Sequence, residues 1–408
     1  MATSKLSEQL FSRIACVCLA VSGAVAVALV IRAKLAEYPP AAGFDLDLIL
    51  AAARRVAGGG SPYDAKVATT VESYFYSYPP WVAQVLVPVS GLPTWLVLTA
   101  SSLGAVAGLA LIAALLPRSP IGRPVVAVPG LGLDAALLAL ALAPITCPFA
   151  AGLLFGNVDV WYPLLFGALV LAVAPRGGDG PSWRTSLFGG AGLAIAAAVK
   201  LQPATLIVWL ASRWPKKSAP GRWLPATALA AIVMSVAIGA LSVLAAGFGP
   251  WRDYLSYMQL VGNGVLATRD NIGPASQIAL LLGNPGLAHQ LAPVVAILAV
   301  VSTVVVARVV DDPLESVGWA IVASLMVLPL TWYHYQVALL PVALAAWTRS
   351  RGSIHSKGVN NWLLAALVVA DAAMLLPVAV WIAAALVLIA VRLSGAELHV
   401  SQSTHLAS

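Results

Sequence analysis

The sequence predicts an all-α fold: a polytopic transmembrane helical bundle of about 12 segments. Three observations predict it. Of the 408 residues, 60% are hydrophobic and 10% are charged, and mean hydropathy is +0.91, whereas charged residues make up roughly a quarter of a soluble domain. Long apolar runs recur along the whole chain. The Lys and Arg residues gather between those runs, and counting segments puts every cluster on one side of the membrane.

The apolar runs cover residues 14–33, 93–116, 131–147, 158–174, 187–199, 201–211, 224–246, 287–308, 317–330, 337–347, 362–375 and 378–391. A full crossing needs about 20 apolar residues. Several runs are shorter, notably the pair flanking Lys200, and predict tilted, broken or re-entrant helices whose backbone is covered by neighbours. The first run is longer than the apolar stretch of a secretory signal and ends in Arg32-Ala33-Lys34 with no good cleavage site, so it is expected as a retained signal-anchor helix.

The basic clusters are Lys5/Arg13, Arg118/Arg123, Arg176/Arg184, Arg213/Lys216/Lys217/Arg222, Arg349/Arg351/Lys357 and Arg392. By the positive-inside rule they mark the cytoplasmic face. Arg32, Lys34, Arg54 and Arg55 run against the rule but are outnumbered. The expected organisation is a cytoplasmic N-terminus (1–13), one transmembrane domain (14–393) and a cytoplasmic tail (394–408), with large outside loops at 34–92 and 247–288. Both termini are inside. The net charge of +7 is then an anchor against anionic membrane lipids, with no nucleic acid required.

Other chemistries find no support. Cys16, Cys18 and Cys147 sit in or beside apolar helices as packing residues. The five histidines have no zinc spacing, acidic residues do not cluster, and metal independence is the expectation. No cofactor is implied, and no phosphate-cradling glycine motif appears on the cytoplasmic side.

The informative polar residues converge on the outside face. The first loop, long for a compact membrane protein, holds Gly43-Phe44-Asp45-Leu46-Asp47, then Ser61-Pro62-Tyr63 and Phe75-Tyr76-Ser77-Tyr78-Pro79-Pro80. Within it, residues 47–56 place Leu46, Ile49, Leu50, Ala53 and Val56 on one face, which predicts a helix lying in the membrane interface. Gly58-Gly59-Gly60-Ser61-Pro62 ends it. The second loop carries Trp251, Arg252, Asp253, Tyr254, Tyr257, Arg269, Asp270 and Asn271. Shorter turns carry Gly156-Asn157-Val158-Asp159 and Thr331-Trp332-Tyr333-His334-Tyr335.

Together these blocks resemble glycosyltransferase family 87, membrane enzymes of GT-C fold that include actinobacterial phosphatidylinositol-mannoside mannosyltransferases. The resemblance rests on Asp45, Gly59/Gly60, Pro62-Tyr63, Phe75 and Tyr78-Pro79-Pro80 in the first loop. Gly156-Asn157-Val158-Asp159 stands where the family usually has Gly-Gln-Val-Asn. Ala198-Val199-Lys200-Leu201-Gln202-Pro203 resembles Ala-Ile-Lys-x-x-Pro, and Leu330-Thr331-Trp332-Tyr333-His334-Tyr335 resembles Ser-x-x-Trp-x-His. The blocks keep family order over roughly residues 30–348. Ile49 departs from the aromatic that usually follows the acid by four positions.

The resemblance implies a hexosyltransferase, mannosyltransferase-like, that takes sugar from a polyprenyl-phosphate donor to a lipid or glycan acceptor at the outer face of the plasma membrane. One carboxylate suffices to take the acceptor's proton, and a cation suffices for the departing phosphate. Asp45 is then the expected general base, with Asp47 as the alternative; the competing reading is that either acid caps the interfacial helix. His334 is a second expected catalytic group, orienting phosphate or acceptor, unless it belongs to the interfacial aromatic belt with Trp332, Tyr333 and Tyr335.

Lys200 either neutralises the donor phosphate, or snorkels or caps a re-entrant tip. Arg252 and Arg269 are phosphate candidates by their guanidinium forks, against the plainer reading of solvated loop charge. Asn157 and Asp159 either hold sugar hydroxyls or cap the following helix. Tyr63, Tyr78 and Trp332 are expected along the substrate path, with stacking weighed against belt anchoring for the tyrosines. Asp134 and Asp371 lie in apolar segments with no evident partner. Two other functions fit the composition: a flippase for a lipid-linked sugar, which predicts internal repeats that the sequence lacks, and a non-catalytic assembly protein.

Overall fold

A computed structural model describes residues 25, 43–64, 76–118, 131–142, 146–173, 182–213, 223–351 and 355–406. The expected first span apart from Val25, the segment 1–13, Cys16, Cys18, Phe75 and the basic residues Arg123, Arg176, Lys216, Lys217 and Arg222 lie outside them.

The described residues are helical, with no strand. In chain order the α-helices are α1 (Phe44–Ala57), α2 (Pro80–Leu86), α3 (Thr94–Leu115), α4 (Leu131–Leu142), α5 (Cys147–Phe155), α6 (Tyr162–Val173), α7 (Trp183–Val199), α8 (Thr205–Arg213), α9 (Trp223–Ala246), α10 (Gly249–Val265), α11 (Pro274–Leu281), α12 (Leu287–Val309), α13 (Pro313–Leu325), α14 (Leu340–Ser350), α15 (Ser356–Asp371) and α16 (Ala379–Leu406).

Three are long and apolar enough to cross a membrane: α3, α9 from Pro225, and α12. The other apolar segments are shorter, including Val158–Val173 and Pro313–Leu325. Their shortness has a packing reason. Ten of the twelve residues of α6 are buried, Leu164 and Leu165 being partly exposed, so it has little lipid face to match to bilayer thickness.

Small residues bring the central helices together, as is usual where the hydrophobic effect does not separate helix from lipid. A Cβ on Gly189 of α7 would lie 2.4 Å from Ala172 of α6, and one on Gly190 would lie 2.6 Å from Ala230 of α9. Helix α7 is therefore wedged between α6 and α9 with no room for larger side chains. The main core continues through Leu109, Ile112, Phe149, Phe166, Leu169 and Trp209.

Two polar fastenings were not legible beforehand. At the end of the bundle where basic residues gather, Arg213 is buried and the Arg349 side chain is only 4% exposed, so neither is merely a lipid anchor. Arg213 Nη1 donates to the Val310 carbonyl at 2.7 Å, and Arg349 Nη2 pairs with Asp312 Oδ2 at 2.6 Å. Asp312 Oδ1 meanwhile caps α13, accepting from the Leu314 and Glu315 amides at 2.8 and 3.0 Å.

At the opposite end Asp371 has the partner its sequence context did not reveal. Its Oδ1 accepts from the Cys147 amide at 2.8 Å and so caps α5 from outside, where Thr146 provides no side-chain cap. Asp371→Ala is expected to cost about 1 kcal/mol, the usual worth of a helix cap, read as a lowered thermal unfolding midpoint in detergent.

Candidate active site

Helix α1 forms as its apolar spacing predicts, with Leu46, Ile49, Leu50, Ala52 and Ala53 buried. Its start differs from expectation. The N-cap is Gly43, with φ +87° and no side-chain cap, so neither Asp45 nor Asp47 does the capping that was the competing reading. Gly43 suits the position because the left-handed backbone disfavours residues with a Cβ. Its N–H donates to the Leu154 carbonyl at 2.7 Å, which ties the start of α1 to the end of α5.

With the helix start served by glycine, both carboxylates reach elsewhere. Asp47 Oδ1 accepts from Thr94 Oγ1 at 2.5 Å, fixing α1 to α3. Asp45 Oδ2 accepts from Asn157 Nδ2 at 2.9 Å. The two acids thus point to different partners, and only Asp45 joins the polar cluster.

Asn157 arrives there because α5 ends in Gly156, with φ +69°, and the chain then turns into a short 3-10 helix, Val158–Trp161. Asn157 does cap this turn, its Oδ1 accepting from the Asp159 N–H at 3.0 Å. A Cβ on Gly156 would sit 2.7 Å from Leu46 Cβ and 3.0 Å from Leu98 Cδ1, so α1 rests directly on this glycine. Gly156→Ala is expected to combine backbone strain with displacement of α1, lowering sugar transfer at least about tenfold, since a misplacement of 1 Å can cost more than that. The check is turnover per mole of monodisperse protein.

Lys200 comes from the end of α7, where the backbone turns extended. It is the C-cap residue of α7, its N–H donating to the Ala196 carbonyl at 3.0 Å, while its side chain turns inward and does not snorkel. Its ammonium is buried and pairs with Asp159 Oδ2 at 2.6 Å, the two side chains being 9% and 1% exposed. The Nζ lies 3.7 Å from the centroid of the Tyr335 ring and 5.7 Å from that of Tyr78, so two aromatic faces flank the charge. Trp81 Nε1 donates to the Ala198 carbonyl at 2.6 Å, bracing this turn from α2.

His334 lies in the 3-10 helix Tyr333–Leu339. Its Nε2 is 3.1 Å from Asp159 Oδ2 and 3.1 Å from Asn157 Nδ2. The turn is set by Asn271, from the expected second outside loop. Asn271 Oδ1 accepts from the Gly273 and Thr331 amides at 3.0 Å each. Its Nδ2 donates to the Leu266 and Pro329 carbonyls at 2.8 Å each. The signal for it was Asn-Ile-Gly-Pro at 271–274, a turn signature.

The result is a continuous cluster, Asp45–Asn157–His334–Asp159–Lys200, assembled from four distant parts of the chain. Burial raises the Asp45 carboxyl above the ordinary carboxylate range; His334, the Asn157 amide and Lys200 pull it back, and Asp159 adds to the rise. A carboxylate tuned upward by burial is a better proton acceptor near neutral pH than a solvated one.

Other expected site residues fall elsewhere. Tyr63 is buried, its hydroxyl donating to the Tyr78 carbonyl at 2.9 Å. Its ring stacks among Tyr76, Tyr254 and Tyr257, with centroids 5.6, 5.8 and 5.2 Å away. It clasps the first loop to α10, and Ser61 Oγ adds a hydrogen bond to Asp253 Oδ2 at 2.8 Å. Tyr78 touches the cluster through its ring. Arg252 is exposed and lines an apolar cavity of about 520 Å³ with Leu201, Phe248, Trp251, Tyr254 and Leu255. Arg269 is exposed. Trp332 is partly buried and offers its carbonyl to the Tyr335 N–H at 3.0 Å. None of these three joins the cluster. Tyr335 supports the cluster through its ring against Lys200, whereas Thr94 holds α1 through Asp47.

A family model described as glycosyltransferase family 87 matches residues 76–331, well over half of the 408 residues. The chain belongs to glycosyltransferase family 87. As a member it is a membrane glycosyltransferase. No curated protein and no solved structure matches it. The matched segment of this family 87 chain takes in Tyr78, Asn157, Asp159 and Lys200, while Asp45 lies before it and His334 just after. The polar cluster therefore draws its outermost members from beyond the matched segment.

Proposed function

We propose that this enzyme moves a hexose, mannose or a close relative, from a polyprenyl-phosphate donor to a lipid or envelope-glycan acceptor on the extracytoplasmic side of the plasma membrane, inverting the anomeric carbon, with Asp45 as general base. The observation that carries the reading is the convergence of Asp45 with His334 and Lys200 in one cluster, after Gly43 has relieved the acid of capping α1.

The chemistry follows from the groups present. The acceptor hydroxyl attacks the anomeric carbon and gives its proton to Asp45, while the sugar–phosphate bond breaks and the phosphate leaves with the electron pair. The phosphate gains negative charge as it departs, so a cation near it stabilises the transition state more than the ground state. Lys200 and a protonated His334 are the cations within the cluster. Arg252, beside the apolar cavity at Leu201, suits a phosphate carried on a lipid chain.

The test is incubation of the purified protein with labelled polyprenyl-phosphate mannose and a membrane lipid extract. A new labelled glycolipid or glycan, with free polyprenyl phosphate formed in equal amount, is the expected result. Donor consumed without a glycosylated product, or no consumption, removes the proposal for this donor.

A further inference from the structure

We infer that Asn157 is the positioning residue of the base: its amide holds Asp45 Oδ2 and leaves Oδ1 as the atom that receives the acceptor's proton. This rests on the reading of Asp45 as the base, and it replaces the expectation that Asn157 binds a sugar hydroxyl.

The amide's orientation is fixed by its neighbours. Oδ1 accepts from the Asp159 N–H at 3.0 Å, so Nδ2 must face the other way, and there it meets Asp45 Oδ2 at 2.9 Å. An Asn amide has two N–H donors. The second faces His334 Nε2 at 3.1 Å, which accepts it when that nitrogen is bare and turns to Asp159 Oδ2 at 3.1 Å when it carries a proton. Both donors are directed at protein groups, which leaves none for a sugar. Among the described residues nothing bonds Asp45 Oδ1, and the acid is only partly buried, so that oxygen is the one open to an incoming hydroxyl.

The amide also biases the charge of the acid. A donor to a carboxylate favours its ionised form, which is the form that works as a base. Other titratable groups face Asp45 as well: Asp159, Lys200 and His334, and the phenols of Tyr78, Tyr333 and Tyr335. None of these groups is itself replaced in the variant, and His334, which loses the second amide N–H, keeps Asp159 Oδ2 at 3.1 Å, so a shift that follows the change reports chiefly the lost amide.

The experiment titrates Asp45 directly in the full-length protein in detergent. The protonated-carboxyl carbonyl band is followed by infrared difference spectroscopy against pH, and the Asp45 band is the one absent from Asp45→Asn. Asn157→Ser is the main variant, because its hydroxyl can still accept the Asp159 N–H in the turn but is too short to reach Asp45. The expected result is a midpoint raised by about one pH unit, with the acidic limb of sugar release from labelled polyprenyl-phosphate mannose moving upward equally.

Asn157→Asp keeps the side-chain shape and replaces the donor with an acceptor, so the limb moves further. An unmoved Asp45 midpoint overturns the role of Asn157 while leaving Asp45 as a candidate base. A midpoint that rises while the limb stays put means that Asn157 holds a carboxylate that is not the base, and both readings fall.

Discussion

Asp45→Asn is expected to lower sugar transfer at least about a hundredfold, the span usually contributed by a positioned general base, while leaving insertion and thermal unfolding close to those of the parent. The amide keeps the shape of the acid, and its oxygen can still accept from Asn157, whose Nδ2 lies 2.9 Å from Asp45 Oδ2. What it loses is the ability to take a proton. The neighbouring acid gives the internal control, because Asp47 is committed to Thr94. Asp47→Asn is expected to cost less than about tenfold, in line with a second carboxylate that supports α1 without touching the acceptor. Turnover by the two variants, measured on purified protein with labelled polyprenyl-phosphate mannose, separates them. An active Asp45→Asn beside an inactive Asp47→Asn would transfer the role to the second acid.

The second large effect concerns the buried pair beneath the base. Asp159→Leu should destabilise the protein by about 3–5 kcal/mol, because removing one partner leaves the other charge buried without compensation. Lys200 is 9% exposed and Asp159 1%, so water cannot easily replace the lost carboxylate. Asp159→Leu combined with Lys200→Met should recover much of the loss, since an apolar pair of similar volume restores packing with no orphaned charge. Activity should not return with stability, because the double variant also lacks the Lys200 ammonium beside the departing phosphate. Thermal unfolding of the two variants in one detergent gives the comparison, and an unchanged midpoint for Asp159→Leu would mean that the pair is hydrated and carries little energy.

Much of this was legible from residues alone. Composition and apolar periodicity were enough for an all-helical membrane protein, and the spacing of Leu46, Ile49, Leu50 and Ala53 was enough for a helix after Asp45. The site blocks at Asp45, Asn157/Asp159, Lys200 and His334 could each be picked out, yet their mutual roles could not. Which oxygen of Asp45 is engaged depends on how α5 ends, through Gly156 and the turn at Asn157. Lys200 looked equally suited to snorkelling and to a site because its partner, Asp159, is 41 positions away in sequence. Asp371 looked unpartnered for a similar reason, since its acceptor role belongs to a helix start 224 positions away. Local patterns carry helix faces and turns well. Pairings between distant polar residues depend on packing, which no local pattern encodes.

The most direct measurement of the central claim is the anomeric configuration of the transferred sugar, determined by nuclear magnetic resonance on product made from a donor of defined anomer. With Asp45 acting as a base, the hydroxyl displaces lipid phosphate in one step, and the product linkage has the configuration opposite to that of the donor. A retained configuration would mean two displacements through a sugar held covalently on the enzyme, and Asp45 would then not be acting as the base described here.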